Sequence, residues 1–166
     1  MTIQTLAPQP ARRRSPLDNR VPPPILAALT GLVMAGASAA LPAAPLPLAV
    51  RLSGFAATFL LAGAFGRPAI KAFVAAKTTI NPVTIDQAST LVTTGIYARS
   101  RNPMYVALTA LLGSLAFALG NGWLLIGPLA FAAFIARYQI APEERAMAAR
   151  FGADYAAYKR QVRRWL

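Results

Sequence analysis

The sequence predicts an all-α integral membrane protein of about four transmembrane helices, closed by a C-terminal amphipathic helix at the interface. Three observations predict it. Of 166 residues, 56% are hydrophobic and 13% charged, a balance that points to hydrocarbon surroundings. The apolar residues fall into four runs separated by Pro, Gly and polar clusters. Of the 17 Lys and Arg residues, only Arg51 falls on one of the two sides that those runs define; the basic side is then the cytoplasmic one.

Each element follows in order. Residues 1–23 are polar and Pro-rich, with Arg12, Arg13, Arg14 and Arg20, and read as a disordered cytoplasmic tail. A signal peptide ending near Ala37-Ser38-Ala39 is disfavoured, because the tail is long and the apolar stretch outruns a usual signal core. The first span covers residues 25–41 and is broken by Pro42, Pro45 and Pro47. The second covers 48–65 and continues as helix past Arg67-Pro68 toward 76. The third covers 105–119, ended by Gly120-Asn121-Gly122; the fourth covers 123–140, ended by Pro142. Each approaches the ~20 residues that cross ~30 Å of hydrocarbon, and shorter ones are accommodated by local thinning or snorkelling. Small residues (Gly31, Ala35, Gly36, Ala39, Gly54, Gly63, Gly66) suit close helix packing in lipid. After Gly152, Tyr155, Tyr158, Val162 and Trp165 recur at helical spacing among Lys159, Arg160, Arg163 and Arg164. This pattern suits a helix lying in the headgroup layer and attracted to anionic lipid.

Several function classes are excluded. A net charge of +12 suits nucleic acid or an anionic membrane, but a DNA-binding domain does not carry long uncharged apolar runs. The absence of Cys and His rules out disulfides, thiolate nucleophiles and the usual zinc sites, and removes the common proton-transfer side chain at neutral pH. No Gly-x-Gly-x-x-Gly occurs, which argues against a soluble dinucleotide-type fold.

Two polar clusters remain at one face. Gly95-Ile96-Tyr97-Ala98-Arg99-Ser100-Arg101-Asn102-Pro103-Met104-Tyr105 precedes the third span, and Pro142-Glu143-Glu144-Arg145 follows the fourth. Structural roles exist for both. Asn102 and Pro103 fit an N-cap and first helical position, and two glutamates after a proline complement a helix dipole. Yet neither Glu143 nor Glu144 has a basic residue three or four positions away, and carboxylates near hydrocarbon need partners. Arg99, Arg101 or a cationic ligand are the candidates.

Arg101-Asn102-Pro103-Met104-Tyr105 resembles the Arg-His/Asn-Pro-x-Tyr motif of the isoprenylcysteine carboxyl methyltransferase and phospholipid N-methyltransferase superfamily. The ending is similar too, through Glu143-Glu144, Phe151-Gly152, Tyr155, Tyr158, Val162 and Arg164-Trp165, as are Thr78-Thr79-Ile80-Asn81-Pro82 and Leu91-Val92-Thr93-Thr94-Gly95. The resemblance covers residues 78–166. It implies a membrane methyltransferase domain over 24–166, with a catalytic part at 78–166, using S-adenosylmethionine. Carried over, Glu143, Glu144 and Arg101 become catalytic candidates. Tyr97, Arg99, Arg101, Asn102, Pro103, Tyr105, Glu143 and Glu144 become cofactor-binding candidates. Members acting on prenylated protein usually have His at Asn102 and often Gly at Ala107, so an imidazole role is lost and cofactor approach to the third helix is altered.

Methyl transfer from a sulfonium needs no metal. Its rate comes mainly from holding donor and acceptor in line. Glu143 or Glu144 can pair with the methionyl ammonium, Arg99 or Arg101 can grip its carboxylate, and Tyr97 or Tyr105 can face the sulfonium. The acceptor is expected to be a lipid or hydrophobic molecule bearing an amine, carboxylate or thiol; for an amine, either glutamate can serve as base. Two other readings stand beside this one: an NADPH-dependent membrane reductase of the sterol reductase type, and a non-enzymatic membrane module. Richness in Ala, Arg and Pro fits a bacterial source, and hence the inner membrane, with both termini cytoplasmic.

Overall fold

The computed structural model describes residue 18, residues 20–75 and residues 91–166. The predicted tail lies outside the described residues as far as residue 17, and the 78–82 motif lies wholly outside them. The described chain is helical: α1 (Pro23–Ala37), α2 (Leu48–Ala75), a 3-10 turn (Gly95–Ala98), α3 (Pro103–Leu119), a second 3-10 turn (Gly122–Leu125), α4 (Ile126–Ile135), a π turn (Ala136–Ile140) and α5 (Ala141–Gln161).

Local chemistry sets the ends. Prolines open α1 and α3 at positions whose amides have no intrahelical partner. The first helix stops at Ala37, short of the predicted 41, where Ser38 N–H bonds the Met34 and Ala35 carbonyls. The second runs through Pro68 to Ala75, as predicted. Gly120, at φ 76°, caps α3 in the left-handed region, where glycine carries no steric penalty. There the Arg51 guanidinium donates to the carbonyls of Ala118 (2.6 Å) and Phe117 (3.4 Å), so this cation complements the α3 dipole. The adjoining loops are laced together by Leu46 N–H to Gly120 O and Gly122 N–H to Ala44 O.

The fourth helix departs from expectation. Pro142 does not end it; helix continues through the proline to Gln161. A proline in a helix clashes with the carbonyl four residues back, here that of Tyr138. The π turn relieves this by widening the backbone just before it: Ala141 N–H bonds Ala136 O, five residues earlier. The path bends later, at Gly152 (φ 47°, ψ −116°).

Ala27 and Met34 of α1, Tyr105, Leu112 and Ala116 of α3, and Phe131 and Ile135 of α4 share one core. The α2 helix packs along α3 through small side chains. A Cβ on Gly54 would lie 2.5 Å from the Phe117 ring, and Thr58 hydrogen-bonds Ser114 (2.9 Å). Its other face exposes Leu52, Phe55, Phe59 and Leu60. Two helical stretches, Leu48–Ala72 and Gly122–Gln161, are long and apolar enough to cross a membrane; α1 and α3 are apolar but shorter. Near the C-terminus, Tyr155, Tyr158 and Val162 are buried against Leu91, Met147 and Phe151. Trp165 lies beyond the helix end, against the main core. These aromatic residues, expected to anchor in headgroups, thus pack within the protein, and Lys159 and Arg160 hold the exposed face.

Candidate active site

The starts of α1, α3 and α5 converge at one end of the bundle, and the two polar clusters meet there. Arg101 Nη2 donates to Glu144 Oε1 at 2.8 Å, with 9% and 11% of the two side chains exposed. From the last residues of the chain, Arg164 grips the same carboxylate as a fork: Nε to Oε1 at 3.1 Å and Nη2 to Oε2 at 2.6 Å. Such two-point contacts fix orientation as well as charge. Two guanidinium groups around one carboxylate leave a net positive charge.

Glu143 is placed differently. The Tyr105 hydroxyl donates to its Oε1 at 2.5 Å, and no ion pair joins Glu143 to any described residue. It lies beyond the apolar stretch that ends at Ile140. Burial pushes its carboxyl up to about 7; the Tyr105 hydrogen bond works against this, and the neighbouring Glu144 charge adds to it.

The backbone carries the arrangement. Arg101 N–H bonds Arg163 O (3.0 Å), and the Asn102 side-chain amide donates to Arg164 O (2.8 Å). Asn102 occupies the cap position of α3, but its side chain makes no capping bond. Its amide is drawn to the C-terminal tail, and the buried Ser100 hydroxyl accepts the Asn102 N–H instead (3.1 Å). Pro103 is buried at the first turn. Tyr97 is buried in the 3-10 turn, with its carbonyl receiving the Tyr158 hydroxyl (2.6 Å); burial raises the Tyr97 phenol above its ordinary range. Arg99 is exposed, outside the ion-paired network.

Of the residues singled out in the sequence, Arg101, Asn102, Tyr105, Glu143 and Glu144 are therefore linked, directly or through the tail. Arg164 is the participant that sequence reasoning assigned to the headgroup layer. The signal that pointed to it was the shortage of cations around two glutamates. Gln139 was also missed: it is 1% exposed, in the π turn, and donates to Val21 O (2.6 Å). Asp18 pairs with Arg145 (2.9 Å), so the segment ahead of α1 is tied to the helix that carries the glutamates. The Ala107 methyl lies against Gly66 of α2.

Chemically, the site places a net-positive arginine group beside a half-buried carboxylate held by a buried phenol. Arg101 Nε is buried without a hydrogen-bond partner among the described residues. That combination complements a zwitterion, whose anion suits the arginines and whose cation suits Glu143. Among the described residues no group of three acidic, Cys or His side chains is placed to hold a metal.

A family model of phospholipid methyltransferases matches residues 51–154, more than half of the chain. An uncharacterized protein of Haemophilus influenzae is 40% identical over 63 residues, which make up 38% of this chain and 100% of that protein. No solved structure matches.

Proposed function

This chain belongs to the phospholipid methyltransferase family, and from that premise we propose that it transfers a methyl group from S-adenosylmethionine to a lipid or other hydrophobic acceptor at the cytoplasmic membrane face. The observation that carries the reading is Glu143: a half-buried carboxylate, oriented by Tyr105 and free of any ion pair with the described residues, next in sequence to the Glu144 that pairs with Arg101. The cofactor supplies a methyl group on a sulfonium, delivered in line to a nucleophile while sulfur leaves as a neutral thioether.

The residues divide that work. Glu144 is committed to two arginines, so Glu143 is the carboxylate that pairs with the methionyl ammonium. Arg101, with its uncommitted Nε, takes the methionyl carboxylate; exposed Arg99 does not. Tyr105 holds Glu143, and Tyr97 shapes the buried side of the loop. If the acceptor is an amine, Glu143, whose carboxyl lies near neutral pH, is the glutamate we assign to receive its proton.

Four spans with both termini cytoplasmic fit this assignment. The α1 and α3 helices rise about 22 Å and about 26 Å at 1.5 Å per residue, and thinning or flanking residues make up the remainder of ~30 Å. Among the described residues the site end gathers Arg101, Arg145 and Arg164, so it is assigned to the cytoplasmic side, in a bacterium at the inner membrane. Exposed Arg150, Lys159 and Arg160 on α5 favour an anionic lipid surface.

The test is incorporation of labelled methyl from S-adenosylmethionine into a native lipid extract by the full chain in detergent, with NADPH binding measured alongside. Saturable cofactor binding and labelled lipid support the reading. Tight NADPH binding with no affinity for S-adenosylmethionine overturns it.

A further inference from the structure

We infer that Arg164 is a positioning residue for methyl transfer: its fork holds Glu144 so that Arg101 stays available to an anionic group of the cofactor. The inference rests on the methyltransferase reading above and extends it to a residue outside both polar clusters.

The argument begins with how one carboxylate is shared. Glu144 Oε2 is taken by Arg164 Nη2 at 2.6 Å; Oε1 is divided between Arg164 Nε at 3.1 Å and Arg101 Nη2 at 2.8 Å. Arg101 therefore meets Glu144 through one nitrogen and one oxygen, and its Nε is left without a partner among the described residues. With Arg164 gone, both Glu144 oxygens become free to turn onto Arg101. A one-to-one two-point pair is the preferred geometry for these groups; it would neutralise Arg101 and occupy its remaining donors. Arg164 prevents that collapse by competing for the carboxylate, and it supplies the surplus positive charge of the trio.

The tail is built to deliver this side chain. Val162 leaves the helix in extended conformation (φ −121°, ψ 133°). Arg163 O receives Arg101 N–H, and Arg164 O receives the Asn102 amide. Trp165 packs against the main core. The guanidinium is thereby set by backbone bonds on one side and an aromatic anchor on the other, although 42% of the side chain is exposed. A charge meant only for headgroups needs neither.

The test compares the wild-type chain, Arg164→Gln, Arg164→Lys and the control Arg67→Gln on an exposed position of α2, each as the full chain in detergent micelles. S-adenosylmethionine affinity is read by calorimetry, KM and kcat by labelled-methyl transfer to native lipid extract, and folding by thermal melting. The expected result for Arg164→Gln is a rise in Kd and KM on the order of 10- to 100-fold, the range of a lost hydrogen bond to a charged group, with kcat and melting temperature near wild type. Arg164→Lys recovers part of the affinity by restoring charge without the fork, and Arg67→Gln behaves as wild type. Unchanged affinity in Arg164→Gln overturns the inference while leaving the methyltransferase reading intact. A loss of affinity that follows a fallen melting temperature, unrelieved by Arg164→Lys, overturns it in favour of a purely structural tail. A wild-type protein with no affinity for S-adenosylmethionine overturns the functional reading itself.

Discussion

Replacing Glu143 by Gln removes a charge, keeps the side chain's shape, and leaves Tyr105 an oxygen to donate to. The Glu143 carboxyl titrates near 7. Its ionised fraction therefore rises from about a tenth at about pH 6 to about nine tenths at about pH 8. If this carboxylate pairs with the cationic part of S-adenosylmethionine, wild-type affinity tightens roughly tenfold across that window. The Gln variant lacks this increment and binds roughly 10- to 100-fold more weakly at about pH 8. Titration of the cofactor's own amino group is common to both proteins and cancels in their ratio. Stability moves in the opposite sense. A raised carboxyl pKa means that the folded chain keeps a proton the unfolded chain has lost between 4.5 and about 7. Wild-type stability thus falls through that window by at most about 3 kcal/mol, and Glu143→Gln does not follow it. The assays are calorimetric titration and thermal melting in detergent over a pH series. Equal affinity of the two proteins at about pH 8, or a wild-type to variant ratio that does not change with pH, would refute the role given to Glu143.

Other perturbations test the scaffold. Glu144→Gln leaves Arg101 largely buried without its counter-ion and is expected to cost about 2–4 kcal/mol; the half-exposed Arg164 keeps this below the cost of breaking a fully buried pair. Chemical denaturation in mixed micelles reads it. Gly54→Ala forces the Phe117 ring to move, because the new Cβ would sit 2.5 Å from it, and should destabilise by about 1–3 kcal/mol. Gly63→Ala meets nothing within 4 Å and should be neutral or slightly stabilising; the pair of melting temperatures makes the comparison. Gln139→Ala removes the donor to Val21 O and opens a buried space, with an expected loss of about 1–3 kcal/mol, seen as faster amide exchange at the start of α1.

The helical class and the residues of the candidate site were legible for one physical reason. In a chain this apolar, polar side chains beside hydrocarbon are costly, so Arg101, Tyr105, Glu143 and Glu144 stand out as residues in need of partners. Arg164 stood out only as part of the family-like ending, not as a partner for Glu144. Its partner lies 20 positions back, across the Gly152 kink and the extended Val162, and helical spacing carried through those breaks pointed it at the headgroups. Asn102 followed the capping rule in position but not in bonding, since the tail carbonyl drew its amide away from the helix. Pro142 followed the helix-ending rule only in sequence; a wider turn of backbone can accommodate a proline, and composition carries no sign of that turn.

The π turn has a consequence for how the site is specified. One additional residue per turn offsets everything beyond it by about 100° from the phase of an unbroken α-helix. The direction in which Glu143 faces is thus a matter of counting: it depends on how many residues separate Ile135 from Ala141, and hardly at all on which ones they are. Inserting a single extra alanine after Ala136 would leave the hydrophobicity of the span, and its partition into the bilayer, almost unchanged. The added residue would swing both glutamates away from Tyr105 and Arg101 together. Membrane residence and site assembly are encoded separately in this helix, the first in its chemistry and the second in its length.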